Sequence, residues 1–159
     1  MNTAILIRHA HAQDLAAGGD RFRPLSNRGR RQAENLGRDL APRLAQPALA
    51  LVSPAVRAQE TFELLSEAAG VSIPSRTVEA IYGYEVDGIL EVIRLCGEGS
   101  LVLVVGHEPL ISDAAWQLAG PDGGAPVSVP TATALVFESE LPWDQWQIGA
   151  ARFRETYQG

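Results

Sequence analysis

Lysine is absent from this 159-residue sequence, and all 13 of its basic residues are arginine. Much of that bias reads as genome base composition. Arginine nevertheless offers a planar fork to phosphate oxygens, so each one is judged by its place. Cysteine is nearly absent too: Cys96 alone excludes an intramolecular disulfide and a cysteine-based zinc cluster. Positive charge does not predominate, and a net charge of −6 argues against a broad nucleic-acid or anionic-membrane footprint. No apolar run approaches the roughly 20 residues of a membrane-spanning helix. The short apolar run at residues 4–7 stops at once in Arg8 and His9, unlike a signal peptide. With 46% hydrophobic and 20% charged residues, the chain reads as one soluble domain spanning residues 1–159. It is expected in a reducing compartment, the cytoplasm, with no nucleic-acid partner, no membrane partner and no cofactor.

What is present is a recurring alternation. Residues 4–7, 49–52 and 101–105 are short apolar runs of the kind that form buried strands in a parallel sheet, apolar on both faces. Between them lie stripes at helical spacing: Ala33, Leu36, Leu40 and Leu44, with Pro42 ending the helix; then Ala55, Ala58, Phe62, Leu65 and Ala69. A third stripe, Ile89, Val92, Ile93 and Cys96, has Asp87 as N-cap and Gly97 as its stop. The fourth is Leu110, Ile111, Ala114, Ala115 and Leu118, closed by Gly120. Strand followed by helix, repeated, predicts a three-layer α/β/α domain around a mostly parallel sheet. The tail departs from it. Beyond the Gly/Pro-rich stretch 121–130, residues 131–137 and 145–150 predict an antiparallel edge hairpin turning at 141–144, with Trp143 and Trp146 as packing residues.

In an open parallel sheet, ligands bind beyond the carboxyl ends of the strands. After the first run come Arg8 and His9, after the second Ser53, Pro54 and Arg57, after the long one Gly106 and His107. Ser53 as N-cap and Pro54 as first helical residue predict a helix start whose free N–H groups favour an anion, with Arg57 in its first turn. Pro109 predicts a similar start after His107. Two histidines and two arginines around helix N-termini describe a phosphate site with a nitrogen nucleophile: neutral imidazole attacks phosphorus, and arginine forks hold the non-bridging oxygens. The neighbouring cations also disfavour imidazolium. His9 and His11 have no third partner at metal-ligand spacing, and His11 is expected at the pocket rim or on the surface.

These residues, in this order, resemble the histidine phosphatase (phosphoglycerate mutase-like) superfamily, and most closely its compact branch of SixA-type phosphohistidine phosphatases. The matching pieces are Ile7-Arg8-His9, Arg23-Pro24-Leu25-Ser26 with Gly29, Leu51-Val52-Ser53-Pro54 with Arg57 and Thr61, Gly106-His107-Glu108-Pro109-Leu110, and Pro130-Thr131-Ala132-Thr133. The resemblance implies that His9 is transiently phosphorylated, that Arg8, Arg57 and His107 complete a metal-independent phosphate pocket, and that Arg23 and Ser53 contribute to substrate binding. Two departures stand out. Ala10 replaces the glycine usual after the Arg-His pair, which would narrow the pocket or restrict the backbone. The position usual for the proton donor falls near Tyr82, leaving Glu79 and Glu85 as candidates beside it. The expected activity is a phosphatase for phosphohistidine in a protein, since a protonated imidazole is a good leaving group. The alternatives are a phosphatase for a small phosphorylated metabolite and a non-catalytic phosphate-binding module.

Overall fold

The apolar runs become the centre of a six-stranded sheet in the computed structural model, which describes residues 1–83 and 88–159. The strands are β1 (Asn2–Arg8), β2 (Ala48–Val52), β3 (Ser75–Thr77), β4 (Leu101–Gly106), β5 (Thr133–Ser139) and β6 (Arg152–Gln158). Their order across the sheet is β3-β2-β4-β1-β5-β6. The first four run parallel, whereas β5 pairs antiparallel with both β1 and β6.

Every residue of β4 is buried, as a strand covered on both faces requires. One face (Ile5, Ile7, Ala50, Val52, Leu103, Val105) packs on α1 (Asn27–Leu40) and α2 (Val56–Ala69) through Leu36, Leu40, Ala58, Phe62 and Leu65. The other (Leu6, Leu49, Leu51, Val102, Val104) packs on α3 (Gly88–Cys96) and α4 (Leu110–Ala119) through Ile93, Ile111, Ala115 and Leu118. The three-layer reading holds. Asp87, the expected cap of α3, lies outside the described residues.

Two local expectations are corrected. Ser53 does not cap α2 and Pro54 is not its first residue: the helix starts at Val56 with Ala55 as N-cap. The Ser53 hydroxyl instead accepts from the Ala55 N–H at 3.2 Å, a turn that delays the helix by two residues. In the tail, residues 145–150 form no strand; the hairpin partner of β5 is β6. Trp143 and Trp146 do pack inside, their rings 4.7 Å apart, but on a 3-10 turn rather than a strand.

Register sets the ends of the central strands level. Arg8 pairs with Gly106 and Val52 with Val105, so the residues that leave β1, β2 and β4 emerge side by side. Backbone bonds continue past the strands: His9 N–H to Gly106 O at 3.0 Å, and Ser53 N–H to Val105 O at 3.0 Å.

Candidate active site

The level strand ends open into a cavity of about 550 Å³ whose wall includes Arg8, His9, Arg23, Arg57 and His107. Sequence order had spread these residues over a hundred positions; the parallel register gathers them. His9, Arg57 and His107 are each buried.

His9 is held from both sides of its backbone, donating to Gly106 O and accepting from the Ala132 N–H at 3.1 Å. Its ring Nδ1 lies 2.7 Å from the carbonyl oxygen of Ala10. A carbonyl only accepts, so Nδ1 carries the proton and the neutral ring keeps its lone pair on Nε2. Toward that nitrogen Arg57 points its Nε–H, at 3.3 Å. Burial lowers the His9 pKa to about 4; the bond to Ala10 opposes this, and Arg57, Arg8 and Arg23 add to it. At neutral pH His9 is therefore uncharged.

The second imidazole is tuned in the same direction. His107 stands with its ring 5.1 Å from that of His9, and burial, then His9 and Arg57, lower its pKa to about 3. Its Nε2 sits 2.7 Å from the Ser53 hydroxyl. That hydroxyl accepts from Ala55 and has no acceptor for its own proton other than His107 Nε2 among the described residues, so it donates to Nε2 and the imidazole N–H lies on Nδ1. Nδ1 of His107, like Nε of Arg8, is buried without a hydrogen-bond partner among the described residues. Buried donors of that kind need an acceptor. Ser53 itself is fully buried behind His107, not on the cavity wall, so the structure gives it a bond to His107 where the sequence had suggested contact with substrate.

Of the two effects expected of Ala10, narrowing of the cavity is not seen. Its methyl is fully buried in a small cluster with Leu25, Ala33 and Ala132, and its N–H donates to Thr61 Oγ1 at 3.0 Å. Thr61 in turn donates to the Arg57 carbonyl at 2.7 Å, tying the turn after β1 to α2. The extra carbon occupies packing space and does not line the cavity.

Arg23 does line it, donating to Asp20 Oδ1 at 3.0 Å and to Gln13 O at 2.9 Å. His11 is also on the wall, with Nδ1 2.7 Å from the Ser26 hydroxyl. Of the two candidate acids, Glu85 lies outside the described residues. Glu79 is half of an exposed two-pronged ion pair with Arg21, at 2.9 and 3.0 Å, and is not on the wall.

Asp20 and Tyr82 also stand on the wall, and the sequence reading gives neither a role. Asp20 accepts from Arg57 Nη2 at 3.1 Å, from Arg23 and from the Tyr82 hydroxyl at 2.7 Å. Tyr82, then Arg57 and Arg23, hold its pKa down at about 2, against the partial desolvation. Tyr82 stands edge-on to His107, ring centres 5.6 Å apart, and its own pKa is raised by the bond to Asp20. The offset pointing to position 82 was a usable signal. The stretch Asp20-Arg21-Phe22-Arg23 reads either as basic charge that guides an anionic substrate or as solvated charge, and neither reading singles out Asp20.

Comparison with known proteins identifies the family and the fold. The family model for the histidine phosphatase superfamily (branch 1) matches residues 4–83. A Haemophilus influenzae protein named as a phosphohistidine phosphatase SixA homolog is 33% identical over 150 residues, 87% of this chain and 87% of that protein. A solved structure from Nakamurella multipartitia, described as a candidate phosphohistidine phosphatase SixA, superposes with a TM-score of 0.84 at 29% identity, covering 98% of this chain and 95% of that one. A candidate alpha-ribazole-5'-P phosphatase of Escherichia coli shares the fold, with a TM-score of 0.71 at 19% identity over 97% and 96% of the two chains.

Proposed function

The chain belongs to the histidine phosphatase superfamily, and from that premise we propose that it hydrolyses phosphohistidine in a protein through a phosphorylated His9, without a metal ion. One observation carries the reading: the Nδ1–H···O bond to Ala10 leaves the His9 lone pair on Nε2, beside Arg57, at the wall of an arginine-lined cavity.

Nε2 of His9 attacks phosphorus while the bond to the leaving nitrogen breaks. Arg8 and Arg57 take the charge on the phosphoryl oxygens, and Nδ1–H of His107 donates to one of them. Water then attacks phospho-His9 and returns the neutral ring. Ser53 acts through His107 by fixing which nitrogen carries the proton, and Arg23 adds positive charge at the mouth. The choice of phosphohistidine over an alkyl phosphate is supported by the state of the carboxyl groups near Tyr82. Asp20 is held ionised and Glu79 is spent on Arg21, so neither offers a proton to a departing alkoxide. General acid help of that kind is worth roughly 10²–10⁴-fold, whereas a protonated imidazole departs without it. The Haemophilus influenzae relative supports the same substrate class.

The test is kcat/KM on a phosphohistidine protein, an aryl phosphate and a panel of alkyl phosphates, each in excess EDTA. The expected order is phosphohistidine and aryl phosphate well above alkyl phosphates, with no loss in EDTA. Alkyl phosphates turned over as fast as phosphohistidine, with Glu79→Gln or Glu85→Gln selectively losing that activity, would replace this reading with a small-metabolite phosphatase. Loss in EDTA restored by Mg²⁺ or Zn²⁺ would overturn its metal independence.

A further inference from the structure

We infer that Asp20 selects the leaving group: its carboxylate stands at the cavity wall to accept the N–H of a protonated imidazole, and so favours phosphoramidates over phosphate esters. This deepens the phosphohistidine reading and rests on it.

A carboxylate inside a phosphate pocket needs an explanation, because it repels the ligand the pocket binds. Asp20 is not there by default. Its side chain is 53% exposed and could turn to solvent, yet it faces inward onto Arg57, Arg23 and Tyr82. Arg57 spans the distance between the two groups that matter, with Nε 3.3 Å from His9 Nε2 and Nη2 3.1 Å from Asp20 Oδ2. A phosphoryl group attacked by His9 has its leaving atom on the side away from Nε2. Asp20, at the far end of the guanidinium from His9, lines the same cavity. Oδ2 already takes two bonds and Oδ1 one, leaving about one of the four carboxylate lone-pair sites uncommitted among the described residues. Three donors also hold the group ionised, so it serves as an acceptor and not as an acid.

The chemistry of the leaving group then decides what this acceptor does. Phosphohistidine is reactive when the ring nitrogen not bound to phosphorus is protonated. As His9 Nε2 forms its bond to phosphorus, the old P–N bond breaks and its electron pair stays on the leaving nitrogen. The ring departs as neutral imidazole, still carrying the proton on its other nitrogen. A carboxylate accepting from that N–H keeps the ring in its protonated form up to the moment of transfer, through a charge-assisted bond. The same carboxylate opposes an ester, whose leaving oxygen gains negative charge beside it. Discrimination of this sort combines attraction for one substrate with repulsion of the other.

Asp20→Asn removes the charge and keeps an oxygen for Arg57; Asp20→Glu keeps the charge. For both variants and the unaltered protein, kcat/KM is measured on a phosphohistidine protein and on 4-nitrophenyl phosphate. The expected result is that Asp20→Asn lowers the ratio of the two at least about tenfold, the weight of one charge-assisted hydrogen bond, and that Asp20→Glu restores most of it. Equal losses on both substrates would mean that Asp20 only positions Arg57 and Arg23, and would overturn the inference, as would an unchanged ratio. A protein that turns over neither substrate before mutation overturns the phosphatase reading itself, and the inference with it.

Discussion

At the scale of single residues, one backbone carbonyl sets the tautomer of His9. Ala10 O fixes the His9 tautomer and burial removes the charge, so the nitrogen beside Arg57 is bare at neutral pH. This has a pH signature. Below about 6.5 an unfolded chain protonates its histidines, whereas folded His9 and His107 resist down to about 4 and about 3. Stability contributed by these neutral rings is therefore full above pH 6.5 and declines as pH falls toward 4. Nitrogen-15 NMR of the ring atoms should show His9 protonated on Nδ1 and bare on Nε2, with no titration of either ring from pH 8 to 5. A midpoint near 6.5 for His9 would contradict the account. Position along the chain made Arg8, His9, Arg57 and His107 readable, because residues at the exits of parallel strands converge. It did not reveal Asp20, whose role depends on a loop folding back onto Arg57, nor that Ser53 faces His107.

Among the elements, the strands buried on both faces were legible as apolar runs and the helices as stripes. The edges were not. β3 is only Ser75-Arg76-Thr77, all exposed, and β6 alternates exposed Arg152, Arg154 and Thr156 with half-buried Phe153, Glu155 and Tyr157. Its pattern is that of an edge strand facing water, with Arg43, in the 3-10 turn after α1, paired to Glu138 and Glu155. The strand expected at residues 145–150 is not formed, because Trp143 and Trp146 are buried from a 3-10 turn and the pairing with β5 falls to β6. The α1–α2 contact gives a prediction of its own. A Cβ at Gly37 would lie 2.2 Å from the Leu65 carbonyl oxygen and 2.7 Å from its Cα, atoms that a side-chain shift cannot move aside. Gly→Ala in a helix gains about 1 kcal/mol, while overpacking of a core costs roughly 1–3 kcal/mol, at the high end where backbone meets backbone. The clash wins, and Gly37→Ala should lower stability by about 2 kcal/mol in urea unfolding. An increase of about 1 kcal/mol would show that the two helices are not packed this closely.

For the whole molecule, sheet order decides where chemistry occurs. Placing β4 between β1 and β2 brings three strand exits to one edge, and everything assigned to the reaction comes from those exits or from the loops that fold over them. The antiparallel pair β5 and β6 extends the sheet on the β1 side, while Val129 accepts from Arg8 at 2.8 Å in the loop that leads to it. The same frame carries phosphatases named for other substrates, so fold alone does not choose among them. The nucleophile is the claim on which the rest depends. Mixing the protein with a phosphohistidine substrate labelled on phosphorus, and quenching within the first turnover, tests it most directly. The account predicts a base-stable, acid-labile label that mass spectrometry of the peptides places on His9, and none on His9→Ala; label on another residue, or label persisting in His9→Ala, would contradict it.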